Sequence, residues 1–479
     1  MKLYRLLITA IILLTMQACA TDPVTGKRGF SMSESWEINA GTKYHQDILK
    51  QYQVYDDPEL QEYLNDIGQR MAKSSHRPEL AFTFTLLDSP EVNAFALPGG
   101  FVYITRGIMA YMTKEAHLAG VVGHEIGHVT GRHGAERAMQ QQISQVASVA
   151  IAVGTGSGEL MQASQMFGGA LMSGYGRKQE LESDRLGAQY IAQNNYSPDD
   201  MIGVIGILKN QELFAREKAQ AEGREYQGYH GLYSTHPRND QRLQEVIRAA
   251  DKFRDLTKPE PDDGRFLQLT NNMAYGESES QGITRGNKFY HKGLNLFVEF
   301  PDGWKVQNGQ SVLGAMSPDG SQVIKMQMDN VAPPVDMSRF LSSKFQGFIP
   351  GSNISTSEDQ ALAGTGTIVD QKTGQTMNYR AAMITRGQQA FIITGLGKSE
   401  LPNQTFFDTA TSIRKLKSSE LKLAEGRNIK LVKARRGDTV AKLAKRSNLE
   451  SYAEAQIRLI NNLYPDGEPK AGDLIKIIQ

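Results

Sequence analysis

Apolar residues recur three or four positions apart along Asp57–Lys73, at Leu60, Leu64, Ile67 and Met71, and this spacing predicts an amphipathic helix. The period then shortens. Phe82, Phe84 and Leu86 alternate with threonines and predict a short strand. Asn93-Ala94-Phe95-Ala96-Leu97 reads as a second strand entering the turn Pro98-Gly99-Gly100, and Phe101-Val102-Tyr103-Ile104 returns as its partner. Thr113 is a candidate N-cap for the next helix. Glu115 falls in its first turn, where negative charge suits the helix dipole, and the helix is expected to run to about Gly134. Leu118, Val121, Val122, Ile126 and Val129 make it apolar enough to be mostly buried. Residues 139–176 break the pattern, being rich in Ala, Gly, Ser, Gln and Met and poor in charge. They predict a loosely packed helical hairpin; the other reading is a mobile lid of low local stability.

Further along, the period changes again and divides the chain. Residues 20–255 read as one mainly helical domain with a small sheet. Lys258-Pro259-Glu260-Pro261-Asp262-Asp263-Gly264 opens a polar stretch, 256–287, read as a linker. Leu294, Leu296, Val298 and Phe300 then alternate before a Pro-Asp-Gly turn, and Val323–Met328 and Ala390–Thr394 also read as strands. These make residues 288–418 a separate α+β domain. Through Phe297-Val298-Glu299-Phe300-Pro301 and Trp304 it resembles the PsbP-like fold, a likeness that implies no chemistry. The tail, 426–479, carries Gly437-Asp438-Thr439, a helical stretch Val440–Arg446, Asn461-Asn462-Leu463 and Ala471-Gly472-Asp473-Leu474-Ile475-Lys476-Ile477. That order resembles a LysM module of βααβ form, and the resemblance implies binding of N-acetylglucosamine chains such as peptidoglycan. The segment Asn448–Gln456 is longer than that pattern has. The expected class is therefore α+β multidomain.

Composition narrows the function. The chain has 479 residues, with hydrophobic residues at 40% and charged residues at 22%, values of ordinary globular domains. A formal net charge of +1 leaves no basic footprint for nucleic acid. Cys19 is the single cysteine, so no intrachain disulfide can form. Lys2 and Arg5 precede an apolar run, Leu6–Met16, that ends in Gln17-Ala18-Cys19. Residues 1–19 read as a secretory signal. The run is about half of the ~20 apolar residues that span a bilayer. A small residue before cysteine resembles the bacterial lipoprotein signal, which implies Cys19 as a lipidated first residue and a periplasmic, lipid-anchored protein. With Ala20 rather than Asp after the cysteine, that resemblance implies the outer membrane.

The candidate chemistry lies in His124-Glu125-Ile126-Gly127-His128. Four residues apart on a helix, the two imidazoles share one face and suit a single Zn²⁺ per chain. Glu125 is then the general base that takes a proton from an activated water. A third protein ligand is required. His133 is a poor choice, because a continuous helix turns it about 140° from His128. Glu180 and Asp184 sit one turn apart in Glu180-Leu181-Glu182-Ser183-Asp184. Glu180 could reach the metal and Asp184 could hold a histidine ring N–H, with Glu182 on the solvated face. A charged surface helix explains the same residues equally well.

Together these segments, over residues 30–250, resemble the gluzincin peptidases of the HtpX and CAAX-prenyl-protease type, above all their soluble, BepA-like periplasmic members. The resemblance implies Glu180 as third ligand and Asp184 as its outer partner. It also picks out Ser234-Thr235-His236-Pro237 and Arg242, with His236 stabilising the oxyanion or closing the metal at rest. Asn93, Ala94 and Phe95 become the strand beside which substrate lies, suited to unfolded or misfolded proteins. Two rival readings stand beside the endopeptidase: a chaperone or assembly factor with a gated zinc site, and a peptidoglycan hydrolase.

Overall fold

The computed structural model describes residues 19–21, 23–24, 26, 28–30, 32–140, 175–223, 225–226, 244, 247–261, 264–309, 312–353, 360–369, 376–397 and 403–479. Two compact units divide the chain: residues 1–275 with 428–479, and residues 276–427. Both mix helices with small sheets, so the α+β class stands.

Strands β1 (Cys19–Thr21) and β2 (Arg28–Phe30) pair antiparallel. Helix α1 (Glu34–Gln51) follows, and then α2 (Pro58–Lys73). The Asp57 carboxylate accepts the Leu60 N–H and Pro58 occupies the first turn, so α2 begins where its orphan amides are satisfied. Its stripe of Leu60, Leu64, Ile67 and Met71 is buried, each side chain contributing roughly 1.5–3 kcal/mol. Strands β3 (Thr83–Leu87), β4 (Ala94–Leu97) and β5 (Phe101–Thr105) form a sheet of order β3-β5-β4, with β3 and β5 parallel and β4 antiparallel on the edge. Ala94, Ala96, Val102 and Ile104 face the core shared with α2. Phe95, Leu97 and Tyr103 face the other way, against Tyr44 and Ile48 of α1.

The short helix α3 (Arg106–Met109) leads to α4 (Glu115–Thr130), all of whose residues are buried. Two expectations fail at its ends. Lys114, without a side-chain cap, precedes the helix, and Thr113 instead gives its N–H to His117 Nδ1. The helix stops at Gly131, not Gly134; Arg132 takes a φ of 57° and a new helical run starts at 133. Buried charges anchor both ends. Glu115 accepts hydrogen bonds from Tyr63 and Tyr196 and pairs with Arg70 at 2.9 Å. At the other end Arg77 donates to the Val129 carbonyl at 3.2 Å and pairs with Glu37 at 2.9 Å. Within the 139–176 segment, residues 141–174 lie outside the described residues, so the hairpin and lid readings fall there. Helices α5 (Arg177–Gln193) and α6 (Asp199–Ala221) complete this part. No helix among the described residues is long and apolar enough to cross a membrane.

Residues 256–287, read as a linker, contain α7 (Arg265–Leu269) and strands β6 (Ala274–Tyr275) and β7 (Ile283–Arg285). In the second unit β7, β8 (Lys288–His291) and β9 (Leu296–Glu299) make one antiparallel sheet. A seven-stranded sheet has the order β10-β11-β12-β16-β15-β14-β13. Its strands are β10 (Lys305–Asn308), β11 (Leu313–Met316), β12 (Gln322–Asn330), β13 (Ile349–Asn353), β14 (Gln360–Val369), β15 (Thr376–Arg386) and β16 (Gln389–Gly397). Alternation along β16 feeds both faces: Phe391 and Ile393 pack with Phe406 and Ala410 of α9 (Asn403–Ser412), and Ile392 with Leu341 of α8 (Met337–Lys344).

The tail then returns to the first unit. Strand β17 (Arg427–Lys433), helices α10 (Val440–Ala444) and α11 (Ala453–Ile460) and strand β18 (Leu474–Ile478) follow in βααβ order. Strand β6 pairs onto β17 as the third strand. Ile429, Val440, Leu443, Ile457, Ile475 and Ile477 belong to the same core as α2 and α4. The tail 426–479, expected as a domain of its own, shares the core of the first unit. Apolar spacing says that a face is covered without saying by what.

Lys476 marks this joint. Fully buried in β18, its ammonium donates to the Ala110 carbonyl at 2.9 Å and to that of Met112, just ahead of α4. Burial pulls its pKa down from 10.5 to about 7. Between those values the unfolded chain holds a proton that the folded chain releases, so stability rises with pH across that window. Melting midpoints measured from pH 7 to 10 are expected to climb more in the wild type than in Lys476→Met. Parallel curves would show that this lysine does not release its proton on folding.

Candidate metal centre

Helices α4 and α5 cross at glycines. A Cβ on Gly127 would lie 2.8 Å from the Ser183 carbonyl oxygen, and one on Gly187 would lie 2.8 Å from the His124 nitrogen. Only bare backbone permits this approach. It carries the acidic face of α5 onto the histidine face of α4.

Three groups converge there. His124 Nε2 and His128 Nε2 are 3.0 Å apart; Glu180 Oε2 is 3.6 Å from the first and Oε1 is 3.5 Å from the second. All three residues are buried, and their ligand atoms lie within 4.8 Å of one another. Two imidazole nitrogens and one carboxylate oxygen, buried and facing one another, fit the donor set of a catalytic zinc with one position left for water. Among the described residues this is the one such cluster found.

The surroundings orient the rings. Asp184 Oδ1 lies 2.8 Å from His124 Nδ1, which leaves Nε2 as the nitrogen aimed into the cluster. His128 Nδ1 lies 2.9 Å from His133 Nδ1, and Ser183 Oγ stands 3.3 Å from the same atom of His133. A continuous helix would turn His133 away from the metal ligands. The helix breaks at Gly131–Arg132 and swings the ring back, so His133 stays outside the ligand group yet reaches the outer nitrogen of His128. Glu182, expected in solvent, is 30% exposed and has its carboxylate 3.6 Å from His133 Nε2. Glu125 is fully buried in α4 between the two histidines. Asparagine at 184 is expected to weaken zinc binding by about 10- to 100-fold, because the outer carboxylate fixes the tautomer and basicity of His124. A zinc competition titration checks this, and an unchanged affinity would strip Asp184 of that part.

Two further residues had no signal in the sequence. Tyr175 stacks on His128 with ring centroids 3.8 Å apart at 18°, and its hydroxyl donates to the Ala96 carbonyl of β4 at 3.4 Å. The Arg137 guanidinium lies 4.2 Å from the Tyr175 ring centroid. Burial raises the Tyr175 phenol far above its ordinary value, Arg137 opposes this, and Glu125 and Glu180 reinforce it, so the hydroxyl stays a donor. Burial lowers the Arg137 pKa against the pull of Tyr175 and Glu180. Tyr175 and Arg137 escape a motif because each is close to the metal ligands only after folding. Asn93, Ala94 and Phe95 lie at or beside the start of edge strand β4, with Ala94 and Phe95 buried. His236 and Arg242 lie outside the described residues. Cys19 opens β1.

Comparison with known proteins bears on the same segment. Residues 58–250 match Peptidase family M48. The beta-barrel assembly-enhancing protease of Escherichia coli (strain K12) is 28% identical over 264 residues, covering 53% of this chain and 52% of that protein. The mitochondrial metalloendopeptidase OMA1 of Schizosaccharomyces pombe is 27% identical over 231 residues, covering 47% of this chain and 64% of that protein. The chain thus spans about half the length of the beta-barrel assembly-enhancing proteases it matches. Among solved structures, LpqN of Mycobacterium tuberculosis, described as involved in cell envelope biogenesis, is 17% identical, covers 24% of this chain and 78% of that chain, and superposes with a TM-score of 0.19. Residues 58–250, the stretch similar to Peptidase family M48, hold the whole cluster and the edge strand, so the match falls on the segment that carries the candidate metal centre.

Proposed function

We propose that the protein is a zinc-dependent endopeptidase that hydrolyses peptide bonds of unfolded or misfolded proteins in the bacterial envelope. The observation that carries this reading is the convergence of His124, His128 and Glu180 beside Glu125, with edge strand β4 nearby. His124 Nε2, His128 Nε2 and one Glu180 oxygen would hold the ion. Bound there, zinc supplies a Lewis acid that brings water near ionisation at neutral pH. The Glu125 carboxylate takes the proton from the attacking water and returns it to the leaving amide nitrogen. Asp184 keeps His124 in the ligating tautomer. The backbone of β4 aligns an extended substrate by strand addition, which reads chain conformation rather than side chains and so selects unfolded protein.

The setting belongs to the same proposal. The beta-barrel assembly-enhancing proteases supply the analogy for quality control of envelope proteins. Lys2, Arg5, the run Leu6–Met16 and Ala18-Cys19 support a lipid anchor at Cys19 and a periplasmic place at the outer membrane. The LysM-like sequence pattern of the tail supports a peptidoglycan contact. The stack of Tyr175 on His128 favours a second reading, an assembly factor whose site is covered at rest. Zinc-loaded protein is expected to cleave casein, to stop when a chelator is added and to resume when zinc is restored. Cleavage that ignores the chelator would end the metallopeptidase reading.

A further inference from the structure

We propose that Tyr175 is a specificity-determining residue that occupies the substrate position on β4, so that an extended chain must displace it to reach the metal. This rests on the peptidase reading above. The direction of the backbone carries the argument. The Thr105 N–H donates to the Asn93 carbonyl at 3.1 Å across the β4–β5 pair. Alternation in an antiparallel ladder then turns the backbone N–H and C=O groups of Phe95 and Leu97 toward β5, and those of Ala94 and Ala96 toward the outer edge. The Ala96 carbonyl is therefore one that an added substrate strand would use. The Tyr175 hydroxyl reaches that oxygen at 3.4 Å. Its ring meanwhile lies flat on His128, 3.8 Å between centroids, where a substrate approaching the metal would pass. Arg137, 4.2 Å from the ring centroid, helps to hold the ring there.

This arrangement sorts substrates by conformation. An extended segment forms several backbone hydrogen bonds along β4 and more than replaces the one that Tyr175 gives up. A short peptide or a folded surface loop offers fewer and leaves Tyr175 in place. Tyr175→Phe keeps the stack and removes the hydroxyl. It is expected to lower KM for casein by about fivefold, the worth of one neutral hydrogen bond, with kcat little changed. It is also expected to narrow the preference for casein over a short fluorogenic peptide. Zinc content should stay that of the wild type, which separates this effect from damage to the metal site.

Binding gives a readout apart from turnover. Fluorescence anisotropy of a labelled casein fragment should show tighter binding to Glu125→Gln/Tyr175→Phe than to Glu125→Gln alone, again by about fivefold. If the wild type cleaves casein and the phenylalanine variant has the same or a higher KM, the proposal is overturned and the peptidase reading stands. If neither protein cleaves and neither inactive variant binds, both fall together.

Discussion

Glutamine at position 125 is expected to slow cleavage of casein by roughly 10²- to 10⁴-fold, the contribution of a positioned general base, while one zinc stays bound. Glu125 lies fully buried on α4 between His124 and His128 and is not among the three groups whose ligand atoms converge. The amide of glutamine has the same shape, so the helix and its neighbours have no reason to move. It has no basic oxygen able to take a proton from water. The loss corresponds to roughly 3–5.5 kcal/mol of transition-state stabilisation. Initial rates on casein, together with metal content by atomic absorption, measure the two halves of this expectation. Equal rates for both proteins would remove Glu125 from the reaction, and loss of zinc would make it a ligand.

Alanine at position 180 should cost the metal itself. The Glu180 carboxylate bridges the two imidazole nitrogens at 3.6 and 3.5 Å. Without it only two nitrogens remain, one short of the three protein ligands that a catalytic zinc site uses. Zinc affinity should fall by more than the roughly 10- to 100-fold that loss of an outer hydrogen-bond partner costs. Because bound metal stabilises only the folded state, the rise in melting midpoint on adding zinc should disappear as well. Glu182→Ala is the matched control. Its carboxylate faces His133 Nε2 at 3.6 Å rather than the cluster, so the variant should keep its zinc. A Glu180→Ala protein that binds one zinc as the wild type does would sink the proposed ligand set.

A short spacing is legible in a sequence when one local geometry serves the function. His124 and His128 are four apart, and any helix puts them on one face. The same holds for Glu180 and Asp184, and for the apolar stripe of α2. The sheet was readable because Pro98-Gly99-Gly100 leaves the flanking residues little but a return. The errors were also local in origin. Thr113 has the chemistry of a cap, but Glu115 with Tyr63, Tyr196 and Arg70 anchors the helix start instead. A continuous helix turns His133 away from His128, whereas the chain breaks where Arg132 adopts a positive φ.

Along the chain, then, the residue pattern carried the chemistry: two histidines and a glutamate on one helix, a second acidic face, and a peptidase resemblance across them. Tertiary structure decided which acidic face meets those histidines, because the approach of α4 and α5 depends on Gly127 and Gly187 lacking a Cβ. It decided that Tyr175 rests on His128, and that residues 428–479 share a core with α4. Helix and strand periods arise from bonds between near neighbours, so a short stretch specifies them. Contacts between residues dozens or hundreds of positions apart depend on the shapes of whole surfaces, which no local spacing encodes.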